Sequence, residues 1–266
     1  MMRTIRTGAW PALLAAACFA APALHAQGRE EAKLITATAV MTELRQSRDQ
    51  EIPQWLLDRA YGVVVVPDVV KVGFWLGGRY GKGVMVVRDE TGRFSSPVFV
   101  NLSGGSFGPQ IGAQSTDVVL VFTTRKGIEG ITDGKVTLGA DASVAAGPVG
   151  RTASAATDAA FKAEVYSYSR SKGLFIGVAL DGSALTIDDK SNADFYGKKT
   201  DAGDILKGAV STSSNGAQRF LAAITASTGP ASATVTTTAA PAITPAEAAA
   251  TGSGVKTYPL EEKPAR

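Results

Sequence analysis

Apolar residues fall at Leu34, Ala37, Met41 and Leu44, three and four apart, with Ile35 and Val40 widening the stripe. That spacing predicts an amphipathic helix over residues 30–46, ended by Ser47-Arg48-Asp49. A second, short helix is expected from Pro53, a residue suited to a first helical turn, through Trp55, Leu56 and Leu57. Past residue 60 the texture changes to strands. Gly62-Val63-Val64-Val65-Val66 is a buried-strand run closed by Pro67, and further strands are expected over 69–76, 82–88, 98–100, 110–114 and 118–123. Short strands between turn signals such as Asp89-Glu90-Thr91-Gly92 point to an antiparallel sheet or barrel. Gly73, Gly77, Gly78, Gly81 and Gly83 imply bulges and tight bends in a curved sheet. A short helix over 125–131, an extended stretch over 135–145, and paired strands over 165–168 and 174–180 follow. A hairpin turn at Asp181-Gly182 leads into 184–187, and a closing helix spans 217–226. The fold class expected is α+β: a curved, mostly antiparallel sheet or barrel-like core with N-terminal helices and a C-terminal helix.

The two ends have different textures. Arg3 and Arg6 precede an apolar run over 13–21, then small residues up to Leu24-His25-Ala26. This is the layout of a secretory signal, with cleavage after Ala26. A membrane anchor fits less well, because a spanning helix needs about 20 apolar residues and Pro22 interrupts the run. Cys18, after Ala15-Ala16-Ala17, keeps a lipoprotein reading open, although the leucine a lipobox wants three residues earlier is absent. After residue 227 the composition collapses to Ala, Thr, Pro, Ser and Gly, which predicts a disordered tail over 228–266. The organisation expected is thus a leader over 1–26, one domain over 27–227 and the tail, with a periplasmic or outer-membrane-associated destination.

Cys18 and His25 are the chain's single cysteine and single histidine. Loss of the leader would remove both. The mature chain would then have no intrachain disulfide, no zinc site built on Cys or His and no thiol or imidazole catalysis. Charge adds little. The chain carries 27 basic and 24 acidic residues, with no Lys/Arg block of the kind that marks nucleic-acid binding.

Several catalytic patterns occur without their context. Gly104-Gly105-Ser106-Phe107-Gly108 matches the nucleophile elbow, but no histidine follows it to take the serine proton. A glycine-rich turn between strands is the plainer reading. Ser169-Arg170-Ser171-Lys172 has S-x-x-K spacing and Ser213-Ser214-Asn215 supplies an S-x-N, yet no K-T-G lies in the domain. Tyr168 and Lys172 have Y-x-x-x-K spacing without the strand–glycine loop–helix unit of a nucleotide site. Asp188-Asp189 with Asp194, or Asp201 with Asp204, are the remaining candidates for a cation or acid–base role; adjacent acids in polar turns are more often solvated surface. No cofactor is expected.

Eight segments in order carry a resemblance. They are Ala60-Tyr61-Gly62-Val63-Val64-Val65-Val66-Pro67, Val72-Gly73-Phe74, Gly77-Gly78-Arg79-Tyr80-Gly81-Lys82-Gly83, Ser96-Pro97, Gly105-Ser106-Phe107-Gly108-Pro109-Gln110-Ile111-Gly112, the dense block from Gly139-Ala140-Asp141 to Gly150-Arg151, Tyr166-Ser167-Tyr168-Ser169-Arg170-Ser171-Lys172-Gly173-Leu174-Phe175, and Phe195-Tyr196-Gly197. Together they resemble the SYLF-domain family across residues 30–226. The resemblance implies a binding module and not an enzyme. Eukaryotic relatives bind phosphoinositides and phosphatidic acid, with an amphipathic N-terminal helix contributing, and some yeast relatives bind actin. The matching helix here, 30–46, mixes Glu30, Glu31 and Glu43 with Lys33 and Arg45, and its periodicity favours core packing. An exported chain would not meet actin, so an anionic phospholipid or membrane surface is the partner implied; an envelope protein bound by a scaffolding module is the alternative. In family-like segments, Arg79, Lys82, Arg151, Arg170 and Lys172 are the candidate phosphate ligands, and Trp55, Phe74 and Trp75 the candidate apolar anchors.

Overall fold

The computed structural model describes residues 11–44, 52–73, 76–107, 112–132, 134–149, 163–171 and 174–228. Among these, nine strands form one strongly curled sheet of order β5-β9-β3-β2-β1-β4-β7-β6, with β8 paired to β7. The strands are β1 Gly62–Gly73, β2 Leu76–Val87, β3 Val98–Phe107, β4 Gly112–Phe122, β5 Lys135–Thr137, β6 Val144–Ala146, β7 Val165–Ser171, β8 Leu174–Gly177 and β9 Ser183–Ile187. Every pairing is antiparallel except β6 with β7. The expected α+β class with a curved, mostly antiparallel sheet is therefore what the chain adopts.

Both faces of the sheet are buried, which explains the unbroken valine run. Val63 and Val65 point to a core shared with helix α1 (Pro11–Leu44), helix α2 (Gln54–Asp58) and helix α6 (Asn215–Thr228). Val64 and Val66 point to a second core, closed by helix α3 (Lys126–Thr132) and helix α5 (Ala202–Leu206). Leu34, Ala37, Val40, Met41 and Leu44 are at most 2% exposed. The stripe read from sequence is thus core, and it belongs to a longer helix that begins at Pro11. Glu31 on this helix accepts hydrogen bonds from Ser214 Oγ and the Gly216 amide, both at 2.5 Å. It thereby satisfies an otherwise unpaired amide at the α6 N-terminus.

Three sequence expectations change. The predicted strand 62–66 and the 69–73 part of the predicted strand 69–76 are one strand, while Leu76 begins β2. Pro67 does not end β1, because the register slips by one residue between Val66 and Val69, a β-bulge. Asp68 takes φ 50° there, and its amide donates to Asp117 Oδ1 at 3.0 Å. On β2, a Cβ at Gly81 would stand 2.8 Å from Val66 and Val69, and one at Gly83 2.5 Å from the Val65 carbonyl. These glycines sit inside a continuous strand and admit the bulge of its neighbour. Second, Gly182 does turn the chain with φ 74°, but no hairpin forms: β9 pairs with β3 and β5, not with β8. Third, Gly104 through Phe107 lie within β3 rather than in a turn.

Helices α4 (Asp189–Tyr196) and α5 fall in stretches read as polar turns. Asp188 caps α4 by accepting from the Ser191 amide at 3.1 Å, and Asp201 caps α5 by accepting from the Gly203 amide at 2.7 Å. Capping is what these carboxylates do. Among the described residues no group of acids, His or Cys is arranged to hold a metal ion. The dense glycine block also has a structural role. Gly139 takes φ 89°, and Gly147 lies directly against the Tyr168 ring where β6 runs beside β7. Thr228, the first residue of the expected tail, is buried at the end of α6; the rest of it lies outside the described residues.

Candidate ligand-binding site

Strands β1 and β2 extend past the bulge to a far end where the two sheet faces differ in character. Lys71 stands directly opposite Arg79 on β2 and Gln114 on β4, so a row Arg79–Lys71–Gln114 crosses three strands. Through the bulge this row shares the face of Val69 and Val118, the face turned away from α1. It lines a cleft of about 670 Å³ that also receives Thr116, Ser169, Ser171, Ile176 and Val178. Two cations and several hydroxyls meet there, and no carboxylate lines the cleft among the described residues.

Arg79 is half-buried, and burial lowers its guanidinium below the usual arginine value without discharging it. Its Nε is buried with no hydrogen-bond acceptor among the described residues. On the opposite face of the same strands Val70, Val72 and Tyr80 are 45%, 51% and 51% exposed. Tyr80 pairs with Val70 across the ladder, and its hydroxyl donates to Asn101 Oδ1 at 3.2 Å. The far end of β1 and β2 therefore shows exposed apolar side chains on one side and, on the other, two cations with no carboxylate among the described lining residues.

The other candidates are placed differently. Lys82, three residues on from Arg79 along a regular strand, projects from the α1 face. It is ion-paired with Asp188, and Ser191 Oγ lies 2.8 Å from Asp188 and 3.0 Å from Glu30, which itself pairs with Lys33 at 3.2 Å. Burial alone would lower the Lys82 ammonium, but the hydrogen bond and charge of Asp188, with Tyr80 and Glu30, outweigh it and raise the group. Burial would likewise raise Asp188, but hydrogen bonds from Lys82 and Ser191 hold it below the usual carboxylate range. Arg170 also faces α1. Its Nε donates to Asp117 at 2.7 Å and its Nη1 to Glu43. It thereby joins the helix to the aspartate that receives the bulge amide. Both cations are thus committed to holding the fold. Trp55 packs half-buried on the core with Arg59 over its ring at 5.9 Å. Arg151, Lys172, Phe74 and Trp75 lie outside the described residues.

Sequence reading missed Lys71, which sits in no glycine-rich segment. The signal that marks it is register: Arg79 is eight residues away in the chain but directly across the ladder. Two residues within the catalytic patterns are held by structural contacts. Tyr168 is fully buried, its hydroxyl donates to the Pro148 carbonyl at 3.2 Å, and burial pushes its phenol far up. Ser214 Oγ accepts from the Ala217 amide at 3.2 Å as a helix cap. A second cavity, of about 460 Å³, mixes Arg88, Arg125 and Lys207 with Asp89 and Glu90.

Known proteins resemble this chain. The family model described as Ysc84, Las17-binding protein actin regulator, matches residues 103–227. LAS seventeen-binding protein 3 of Saccharomyces cerevisiae is 37% identical over 190 residues, covering 70% of this chain and 41% of the yeast protein. Protein YSC84 of the same yeast is 39% identical over 165 residues, 61% of this chain and 35% of that protein. The human SH3 domain-containing YSC84-like protein 1 is 32% identical over 186 residues, 70% of this chain and 54% of the human protein. The chain spans about half or less of the length of these relatives.

Proposed function

We propose, for a chain that belongs to the Ysc84 (SYLF) family, the role of an exported, non-catalytic module that binds an anionic phospholipid surface. The observation that carries this reading is the two-sided far end of β1 and β2. Exposed apolar side chains at Val70, Val72 and Tyr80 suit the acyl boundary, and contiguous exposed apolar surface marks interaction sites. Lys71 and Arg79 on the reverse face supply the charge that anionic headgroups attract, about 1 kcal/mol per cation near such a surface. On helix α1 the stripe of Leu34, Ala37, Val40, Met41 and Leu44 is spent on the core, while Ile35 stands exposed.

The test is co-sedimentation of the mature chain with vesicles of phosphatidylcholine alone or mixed with an anionic phospholipid. Binding should require the anionic lipid and should weaken severalfold in Val72→Asp and Tyr80→Asp. Indifference to anionic lipid overturns the reading. Export is part of the proposal. The mass of the mature protein should match a start at Gln27, whereas a lipidated Cys18 would make the module a tethered one.

A protein partner is the second reading. The names of the relatives describe Las17 binding, and the trio Val70, Val72 and Tyr80 would equally suit a protein surface. For an exported chain that partner would be an envelope protein. Loss of partner capture in Val72→Asp, with vesicles ignored, would favour this reading.

A further inference from the structure

We propose that the Lys71–Arg79 cleft is a discrete site for a phosphate monoester group, held on the sheet face turned away from helix α1. Lys71 and Arg79 are direct cross-strand partners, and like charges in that position repel and destabilise a sheet. Lys82 and Arg170 each have a carboxylate within hydrogen-bond reach, and the buried Arg88 donates to the Asp58 and Thr228 carbonyls. The cleft has two cations and no carboxylate among its described lining residues. The Arg79 Nε–H is out of water with no acceptor among the described residues, a costly arrangement for a donor. An oxyanion between the two side chains would end the repulsion and satisfy that N–H together.

The class of oxyanion follows from charge and donor number. A phosphate monoester carries about −1.5 to −2 charge near neutral pH and three strong acceptor oxygens, which matches two cations. A carboxylate or phosphodiester, with a single charge, leaves one cation uncompensated. The guanidinium offers a planar fork for two of the oxygens. Gln114 beside Lys71, and the hydroxyls of Thr116, Ser169 and Ser171, surround the remainder with donors. Ile176 and Val178 give the cleft an apolar wall for the group that bears the phosphate. The site goes beyond surface adsorption, since it lies on the face opposite the Val70–Val72–Tyr80 trio and needs no bilayer to fill it.

Two sources share this chemistry, a phospholipid headgroup and a soluble phosphate, and the experiment has an arm for each. The first arm titrates inorganic phosphate into the mature full-length chain by calorimetry. The second compares vesicles containing phosphatidic acid with vesicles carrying the same surface charge as phosphatidylglycerol, a diester. Wild type should bind phosphate saturably with one site per chain. Arg79→Gln and Lys71→Gln should each weaken it by tenfold or more while keeping a native circular dichroism spectrum. Without phosphate, Lys71→Gln should melt at or above the wild-type temperature, because a repulsive pair has been removed. Added phosphate should raise the melting temperature of wild type alone.

Preference for phosphatidic acid over phosphatidylglycerol, lost in Arg79→Gln, identifies a lipid headgroup. Phosphate binding without that preference identifies a soluble ligand. Equal sedimentation with both anionic lipids, no phosphate binding, and a loss in Arg79→Gln no larger for phosphatidic acid than for phosphatidylglycerol overturn the site and leave the surface-binding reading standing. Phosphate bound through Arg79 with no vesicle binding does the reverse.

Discussion

Gly147 lies so close against Tyr168 that a Cβ built on the glycine would stand 2.0 Å from Tyr168 Cζ. Tyr168 is fully buried and fixed by its hydroxyl on the Pro148 carbonyl, so neither partner can step aside. Gly177, from the neighbouring strand, closes the same stack with its Cβ position 2.1 Å from the Gly147 carbonyl. Gly147→Ala should therefore lower stability by about 3 kcal/mol, the upper end for overpacking a tight core. Gly105→Ala, where a Cβ meets nothing within 4 Å, should be neutral or stabilise by about 0.5 kcal/mol. Urea midpoints of the two variants measure the contrast.

Asp68 holds a left-handed conformation at the bulge, with its amide on Asp117. Asp68→Gly keeps that amide and removes the steric penalty, so its stability should stay within about 0.5 kcal/mol of wild type. Asp68→Val keeps the amide too, but a β-branched residue is poorly suited to positive φ and should cost about 1–2 kcal/mol. Thermal melts of the pair separate conformational strain from loss of the hydrogen bond.

Asp188 both caps α4 and pairs with Lys82. Asp188→Ala should destabilise by about 2–3 kcal/mol, combining a lost cap with a cation left partly buried. Lys82 is 39% exposed, so Lys82→Met should cost less, about 1 kcal/mol after solvent screening. The pH dependence follows from the shifts. Asp188 is depressed in the folded state, so its contribution is intact above about pH 4, the unfolded carboxylate value, and is lost as pH falls through the lower folded value. Lys82 is raised; its contribution is intact below about pH 10.4 and is lost as pH rises through the higher folded value. Wild type should thus lose stability on acidification more steeply than Asp188→Asn.

Arg170 should behave opposite to Arg79. Arg170→Gln leaves Asp117 without its guanidinium and releases Glu43 on α1, so the urea midpoint should fall by the equivalent of about 1–3 kcal/mol. Phosphate affinity should be unchanged, because this side chain lies on the face away from the cleft. Two arginines that look alike as family-like cations are thereby separable by one stability and one binding measurement.

The contrast between those arginines shows what was legible in the sequence and what was not. Local periodicity was legible: the stripe from Leu34 to Leu44, the valine run at 63–66 and the closing helix all lie where spacing puts them. Long-range register was not. Nothing local says that β9 pairs with β3, or that Lys71 faces Arg79. Nor does local sequence show that Asp117 and Asp188 wait for Arg170 and Lys82 in distant segments. Asp188 and Asp201 read as solvated acids because the helices they cap are only 8 and 5 residues long, too short for a periodic signal. Pro67 read as a strand end because proline usually is one within a sheet, and a bulge is one of the few places that accept it.

That bulge has a consequence for how the molecule tolerates change. The inserted residue at 66–69 is what lets Val66 and Val69 point the same way although they are three apart. Removing one residue there would exchange inside and outside for everything up to Gly73. The lysine would move to the face where Val70 and Val72 now stand exposed, and the two valines would turn into the polar cleft. The length of this stretch is therefore as constrained as its side chains: shortening it by one would dismantle the Arg79–Lys71–Gln114 row in a single event.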